Sequence, residues 1–408
     1  MDNKTFVPFG IPAFGGEKEN AGINFVYEVK NEEAKKIILQ IRERNKEIYK
    51  KELIAPEGKP FAKKKYSWQW DGFDNNGILD TSKLVGKKLN FYITALSVSN
   101  KVTHSCLDFE LSYSKVNWVD VRIDRPNKII QATVRINLRD GGAVGIKPYN
   151  EIVFEGTFGE KVITLKEERP WEAIPKSALN YYGKPPITTQ QRSFEQLRDL
   201  ALRGIEKHWS RNTSNKEGKS ISIEYQKYQV FVKAIASDKG MVAPKIVYQS
   251  NCEKGRSRNW EASRILYFAE GYLYDSDWGE YKNNLTLQRD KGWYYRSEDK
   301  IEERRTFILS QPLIEDFMMT AAHEIGHEIL VSFGGFAAHI HSKTHKGTST
   351  LLTQKTIEDE KNLSKTNYPS TGEIDLMKYY SNYYEIERTV ASEFDVIHLI
   401  GLTKMKVE

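Results

Sequence analysis

Through about residue 170, apolar and polar positions alternate in short runs separated by Gly, Asn, Asp and Pro, the punctuation of β structure. The clearest run is KIIQATVRINL. Ile130, Ala132, Val134, Ile136 and Leu138 fall on one face of a strand, and Thr133, Arg135 and Asn137 on the other. INFVYEV, LNFYITALSV and CLDFELSY alternate in the same way. This pattern predicts one or two antiparallel β-sandwich modules over residues 1–170.

Both periodicities stop in ERPWEAIPKSALNYYGKPPITT, which has four prolines from Pro170 to Pro186 and reads as a linker over residues 171–190. The pattern then becomes helical. In SFEQLRDLALRGIEKHW, Phe194, Leu197, Leu200, Ala201, Ile205 and Trp209 form an amphipathic stripe, with Ser193 as the N-cap. ISIEYQKYQVFVKAIA and PKIVYQ are strand candidates, while residues 251–300 are polar and aromatic without a readable period. After Pro312, LIEDFMMTAAHEIGHEILVSF has the composition of a mostly buried helix, which Gly334 and Gly335 can end. The expected organisation is therefore multidomain, with a β-rich region at 1–170, a linker at 171–190 and an α+β domain at 191–408.

A chain of 408 residues with 39% apolar and 28% charged residues fits a globular protein with more than one core. It contains no run of about 18 apolar residues, and MDNKTFVPFGIPAFGG lacks the basic, apolar and small-residue zones of a signal peptide. The expectation is a soluble chain without a membrane span, whose export would use a signal-independent route. Cys106 and Cys252 are too few for a disulfide framework or a cysteine zinc cluster, and read as ordinary thiols or a single bridge. The net charge of +6 is spread among interleaved acids and bases, and Lys63, Lys64 and Lys65 read as a solvated face. No nucleic-acid partner is expected.

The chemistry concentrates in the buried helix. Residues four apart on a helix lie about 40 degrees from each other around its axis, so His323 and His327 project from one face and can bind one ion, while Glu324 can reach a water on that ion. Zinc in such a site lowers the pKa of its water towards 7, and the carboxylate takes the proton as a carbonyl is attacked. At these residues the sequence resembles the zincin metallopeptidases. That resemblance implies a backing helix, a twisted sheet whose edge strand holds the substrate, then the active helix, in the order seen from residue 190 onward. It also implies peptide-bond hydrolysis with Zn2+, His323 and His327 as ligands and Glu324 as the catalytic base.

The third ligand is open. The compact metzincin spacing is absent, since Leu330 and Phe333 stand where that pattern has Gly and His. Five of the eight histidines lie between 323 and 345, and His345 in the turn-like HKGTST segment is the first choice. Glu373 is the alternative, as in gluzincin-type sites, with His339, His341, Asp375 and Glu387 behind it. GEIDLMKYY around Met377 resembles a Met-turn, and Tyr379 or Tyr380 could donate to an oxyanion.

YSWQWDGFDNNGILD, with Trp68, Trp70, Asp71, Gly72, Asp74 and Gly77, resembles a turn of bacterial immunoglobulin-like modules such as those of flagellar hook-cap proteins. Its acids suit capped turns, with a calcium site from Asp71, Asp74 and Asp80 as the other reading. The whole arrangement resembles bacterial toxins loaded onto contractile secretion systems, including type VI effectors. That resemblance implies a polypeptide or peptidoglycan-peptide substrate, and secretion-machinery or immunity-protein partners. The alternative function is a β-sandwich binding module with a structural, non-catalytic zinc.

Overall fold

The structure, a computed structural model, describes residues 5–16, 18–146, 151–158, 161–168, 187–253, 255–276, 290–295, 313–344, 371–377 and 385–408. It is mostly β, with several antiparallel sheets, few helices and two hydrophobic cores. No helix among the described residues is long and apolar enough to cross a membrane.

The first core is built from β1 (Thr5–Phe6), β2 (Ile23–Glu28), β3 (Ala34–Glu43), β4 (Lys46–Ile54), β5 (Lys65–Trp70), α1 (Thr81–Leu84), β7 (Lys88–Ser97) and β8 (Val102–Tyr113), whereas β6 (Ile78–Asp80) pairs elsewhere and packs Leu79 into the second core. Strands β3, β4, β7 and β8 form antiparallel pairs, and the β2–β5 ribbon contributes its apolar side chains to the same core. Period-2 alternation turns Ile37, Leu39 and Ile41 inward, each at most 1% exposed. Phe25 stacks on Phe91 with ring centroids 4.2 Å apart, and Trp68 stacks on both. Each such buried side chain is worth about 1.5–3 kcal/mol relative to exposure. The aspartates of the WxWDG turn act as caps: Asp74 Oδ1 accepts from the backbone N–H of Asn76 and Ile78, and Asp71 pairs with Arg125 at 3.0 Å. Asp80 accepts from the Ser82 hydroxyl. These contacts are those of the capped-turn reading. Cys106 is a free, exposed thiol.

The second core takes in β9 (Val119–Asp124), β10 (Ile129–Val144), α2 (Phe194–Trp209), β13 (Ile221–Ile223), β14 (Gln226–Ala236), β15 (Met241–Gln249), β17 (Arg258–Trp260), β18 (Ser263–Ala269), α3 (Leu313–Thr344) and α4 (Glu393–Gly401). Separate from its sheet are the β11 (Glu151–Phe158) and β12 (Lys161–Glu168) hairpin, and the small sheet of β16 (Cys252–Glu253), β19 (Gly271–Ser276) and β20 (Asp290–Tyr295). Strand β10 pairs parallel with β14 along its first half and with β15 along its second, β15 pairs parallel with β18, and β17 closes that edge antiparallel. Helices α2 and α3 pack on this sheet and on each other, with Gly204 set so close to the Met318 backbone that a methyl group there would overlap it.

The cores divide the chain differently from the expected boundary near 170. β10 is the strand that KIIQATVRINL predicts, with Ile130, Ala132, Val134 and Ile136 fully buried, but it lies inside the second sheet. The C-terminal strand β23 (Met405–Val407) goes the other way and pairs with β1 and β8 in the first core. Alternation identifies which face of a strand is buried; it does not identify the neighbouring strand. The 171–190 linker lies outside the described residues up to 186.

Candidate metal centre

Helix α2 begins at the N-cap expected at Ser193, and the structure adds a capping box: the Ser193 hydroxyl accepts from Gln196 N–H, and the Gln196 side chain accepts from Ser193 N–H. From this anchored start the helix runs to Trp209, whose Nε1 donates to the Ala322 carbonyl at 3.1 Å, one residue before His323. Helix α3 continues past the expected stop. Gly334 and Gly335 leave helical geometry, with φ at Gly335 of 66°, but the chain resumes helix to Thr344. The break is marked by Lys115, whose ammonium donates to the Phe333 carbonyl from the segment linking the two cores. Burial lowers the Lys115 pKa.

On the buried face of α3 the ligating atoms of His323, Glu324 and His327 lie within 4.8 Å of one another. The imidazole centroids are 4.7 Å apart at 81°, and His327 Nε2 is 3.8 Å from Glu324 Oε2. Glu324 and His327 are 5% and 6% exposed, so a charge between them would sit largely out of water. The Nδ1 of His323 lies 2.8 Å from the Leu376 carbonyl oxygen; an N–H there donates to it and leaves Nε2 as the lone-pair nitrogen. Asn259 on β17 donates to the Glu324 carbonyl at 2.8 Å, and Arg264 on β18 pairs with Glu328 at 2.7 Å, so the sheet edge is braced against the helix. Two imidazoles and a carboxylate with one ring held by its outer nitrogen are a donor set that suits zinc.

Beneath the helix lies Met377. It is fully buried, and a methyl group at Gly326 would overlap its sulfur and come within 2.9 Å of Trp209. Met377 follows β21 (Ile374–Asp375), which pairs parallel with β22 (Thr389–Val390). The same segment places Glu373 away from the His323 cluster. Its carboxylate is bound by Arg211 at 2.6 Å and is not in the His323 cluster. Glu373 supplies a carboxylate oxygen to this buried guanidinium. Asp375 accepts from Met377 N–H, and Glu387 is exposed beside Lys216. His345, Tyr379 and Tyr380 lie outside the described residues, whereas His339 and His341 fall on the helix beyond its break.

The Leu376 carbonyl and the Arg211 guanidinium had no sequence signal. A backbone acceptor is common to every residue, and an arginine just after a helix is ordinary. His208 was also missed. It is fully buried, its Nδ1 is 2.7 Å from the Thr389 carbonyl oxygen, and burial pushes its pKa down to about 4.

No family model and no curated protein matches this chain. Among solved structures, the crystal structure of FlgD from P. aeruginosa aligns with 29% of this chain and 79% of its own, at 11% identity and a TM-score of 0.17. An overlap that low carries no argument about fold or function.

Proposed function

We propose that this chain is a zinc-dependent peptidase whose second core is a zincin-like α+β catalytic domain. The observation that carries the reading is the convergence of His323, Glu324 and His327 within 4.8 Å on a buried helix face, with the His323 ring already oriented by the Leu376 carbonyl. A purely structural zinc has no need of Glu324 beside it.

His323 and His327 would hold the zinc together with a third donor, and the metal would supply Lewis-acid activation of water and of the substrate carbonyl. The Glu324 carboxylate holds the attacking water, takes its proton, and returns that proton to the leaving amine. Its buried surroundings strengthen each of these interactions. Strand β17 ends the described sheet order, so an extended polypeptide could add to its open edge beside the helix that carries Glu324. Asn259 points the other way, onto that helix, and fixes the distance between edge and base.

The test pairs elemental analysis with hydrolysis of an unfolded protein substrate. Wild type should hold about one zinc per chain and cleave. Glu324→Ala should keep the metal and lose activity by about 100-fold to 10,000-fold. A zinc-replete wild type that cleaves nothing would return the site to a structural role.

A further inference from the structure

Arg211 lies two residues past the end of α2, and its backbone N–H and carbonyl both bond to Val230 of β14 at 2.8 Å. The guanidinium, 5% exposed, spans three other segments. Nε donates to the Ser220 carbonyl at 2.9 Å, one terminal nitrogen to the Ala391 carbonyl at 2.7 Å and the other to Glu373 at 2.6 Å. Glu373 immediately precedes β21. Three residues on, Leu376 N–H donates to the Val390 carbonyl at 2.9 Å while its own carbonyl receives His323 Nδ1. The chain enters this stretch through Gly372, at φ of 79°, whose carbonyl accepts from Arg388 at 2.8 Å.

We propose that Arg211 and Glu373 form a latch that positions His323: the sheet holds Arg211, Arg211 holds Glu373, and Glu373 fixes the strand whose end presents the Leu376 carbonyl to the imidazole. Glu373 is thus a positioning residue for a metal ligand. The inference rests on the zinc reading only for its consequence, since the contact that orients the His323 ring is made within the chain. Glu373 is also the right place to probe the latch. Its side chain is 42% exposed, and its removal leaves the other two Arg211 contacts intact.

A merely structural role for the pair would change melting temperature and nothing else. The latch predicts two further readouts. In metal-free protein, nitrogen NMR of the His323 ring should show a dominant Nδ1–H tautomer in wild type and a mixture in Glu373→Ala. In chelator competition, Glu373→Ala should bind zinc about 10-fold more weakly, the low end of the range for residues that orient a ligand. Glu373→Gln keeps an oxygen for Arg211 and should stay close to wild type in both. Unchanged tautomer and affinity in Glu373→Ala would overturn the latch. So would a Gln variant as weak as Ala, or a Glu373→Ala protein as empty as His323→Ala, which would make Glu373 a ligand. A wild type that binds no zinc defeats the peptidase reading, and the tautomer measurement still decides the latch.

Discussion

The two cores are built by different rules. The first draws nearly all of its buried residues from one stretch, Phe6 to Leu111, and closes with Met405; its interior is a stack of Phe25, Trp68, Phe91 and their neighbours. The second collects Val119–Leu138, α2, the 221–269 strands, α3, Leu376, Met377 and α4, and places polar and titratable groups among its apolar ones. Among the described residues, buried His208, Arg211, Glu324, His327, Arg388, Asp395 and His398 have no ionisable counterparts in the first core, whose elements bury only the neutral Gln40, Thr81 and Ser97. Antiparallel neighbours joined by short turns can be packed with apolar side chains alone. A core assembled from distant segments positions those segments through specific polar contacts, and such contacts are also what a metal centre requires.

The largest test of this division is cleavage of the chain at the proline-rich stretch between 170 and 190. A boundary there would yield two folded pieces. The structure predicts instead that the C-terminal fragment does not fold alone and that nicked protein stays associated, because β9 and β10 lie in the same sheet as β14, β15 and β18. Size-exclusion chromatography of the nicked chain decides this, and two separate, folded peaks would refute the shared sheet.

Tryptophan truncation sharpens the comparison. Trp70 and Trp209 are 1% and 0% exposed, and their indole N–H groups donate to the Phe73 and Ala322 carbonyls. Either change to Ala should cost about 3–5 kcal/mol by denaturant unfolding. Only Trp209→Ala should also weaken zinc binding, since its ring packs against Gly326 of the site helix. Equal effects on zinc from both variants would mean the cores are not separate in function.

Acid should distinguish the cores next. His208 titrates near 4 in the fold because burial disfavours its charged form, against 6.5 for an ordinary histidine. The unfolded chain therefore takes up the proton first. Stability present above pH 6.5 is lost as pH falls to about 4, by a contribution on the order of 3 kcal/mol. Urea midpoints across this window should fall more steeply in wild type than in His208→Gln. Parallel slopes would show that His208 is not held neutral.

The smallest effect is at the α2 cap. Ser193→Ala removes the hydroxyl that accepts from Gln196 N–H and should cost about 1 kcal/mol. The loss should appear as a lower midpoint with unchanged zinc content.

The sequence determined those features that depend on one element at a time. Period-2 alternation in KIIQATVRINL assigned the buried face of β10, Ser193 announced the start of α2, and the spacing of His323 and His327 put both imidazoles on one face of α3. Each is local, because the geometry of a strand or helix repeats within a few residues and leaves its period in the side chains. The tertiary structure decided which strand lies beside β10, that Met405–Val407 returns to the first core, that Glu373 belongs to Arg211, and that a Leu376 carbonyl orients His323. Those decisions are made by backbone hydrogen bonds and by pairings across more than fifty residues. Every residue offers the same backbone groups, and a carboxylate has the same formula whether it meets a metal or a guanidinium, so their partners are fixed only when the chain is folded.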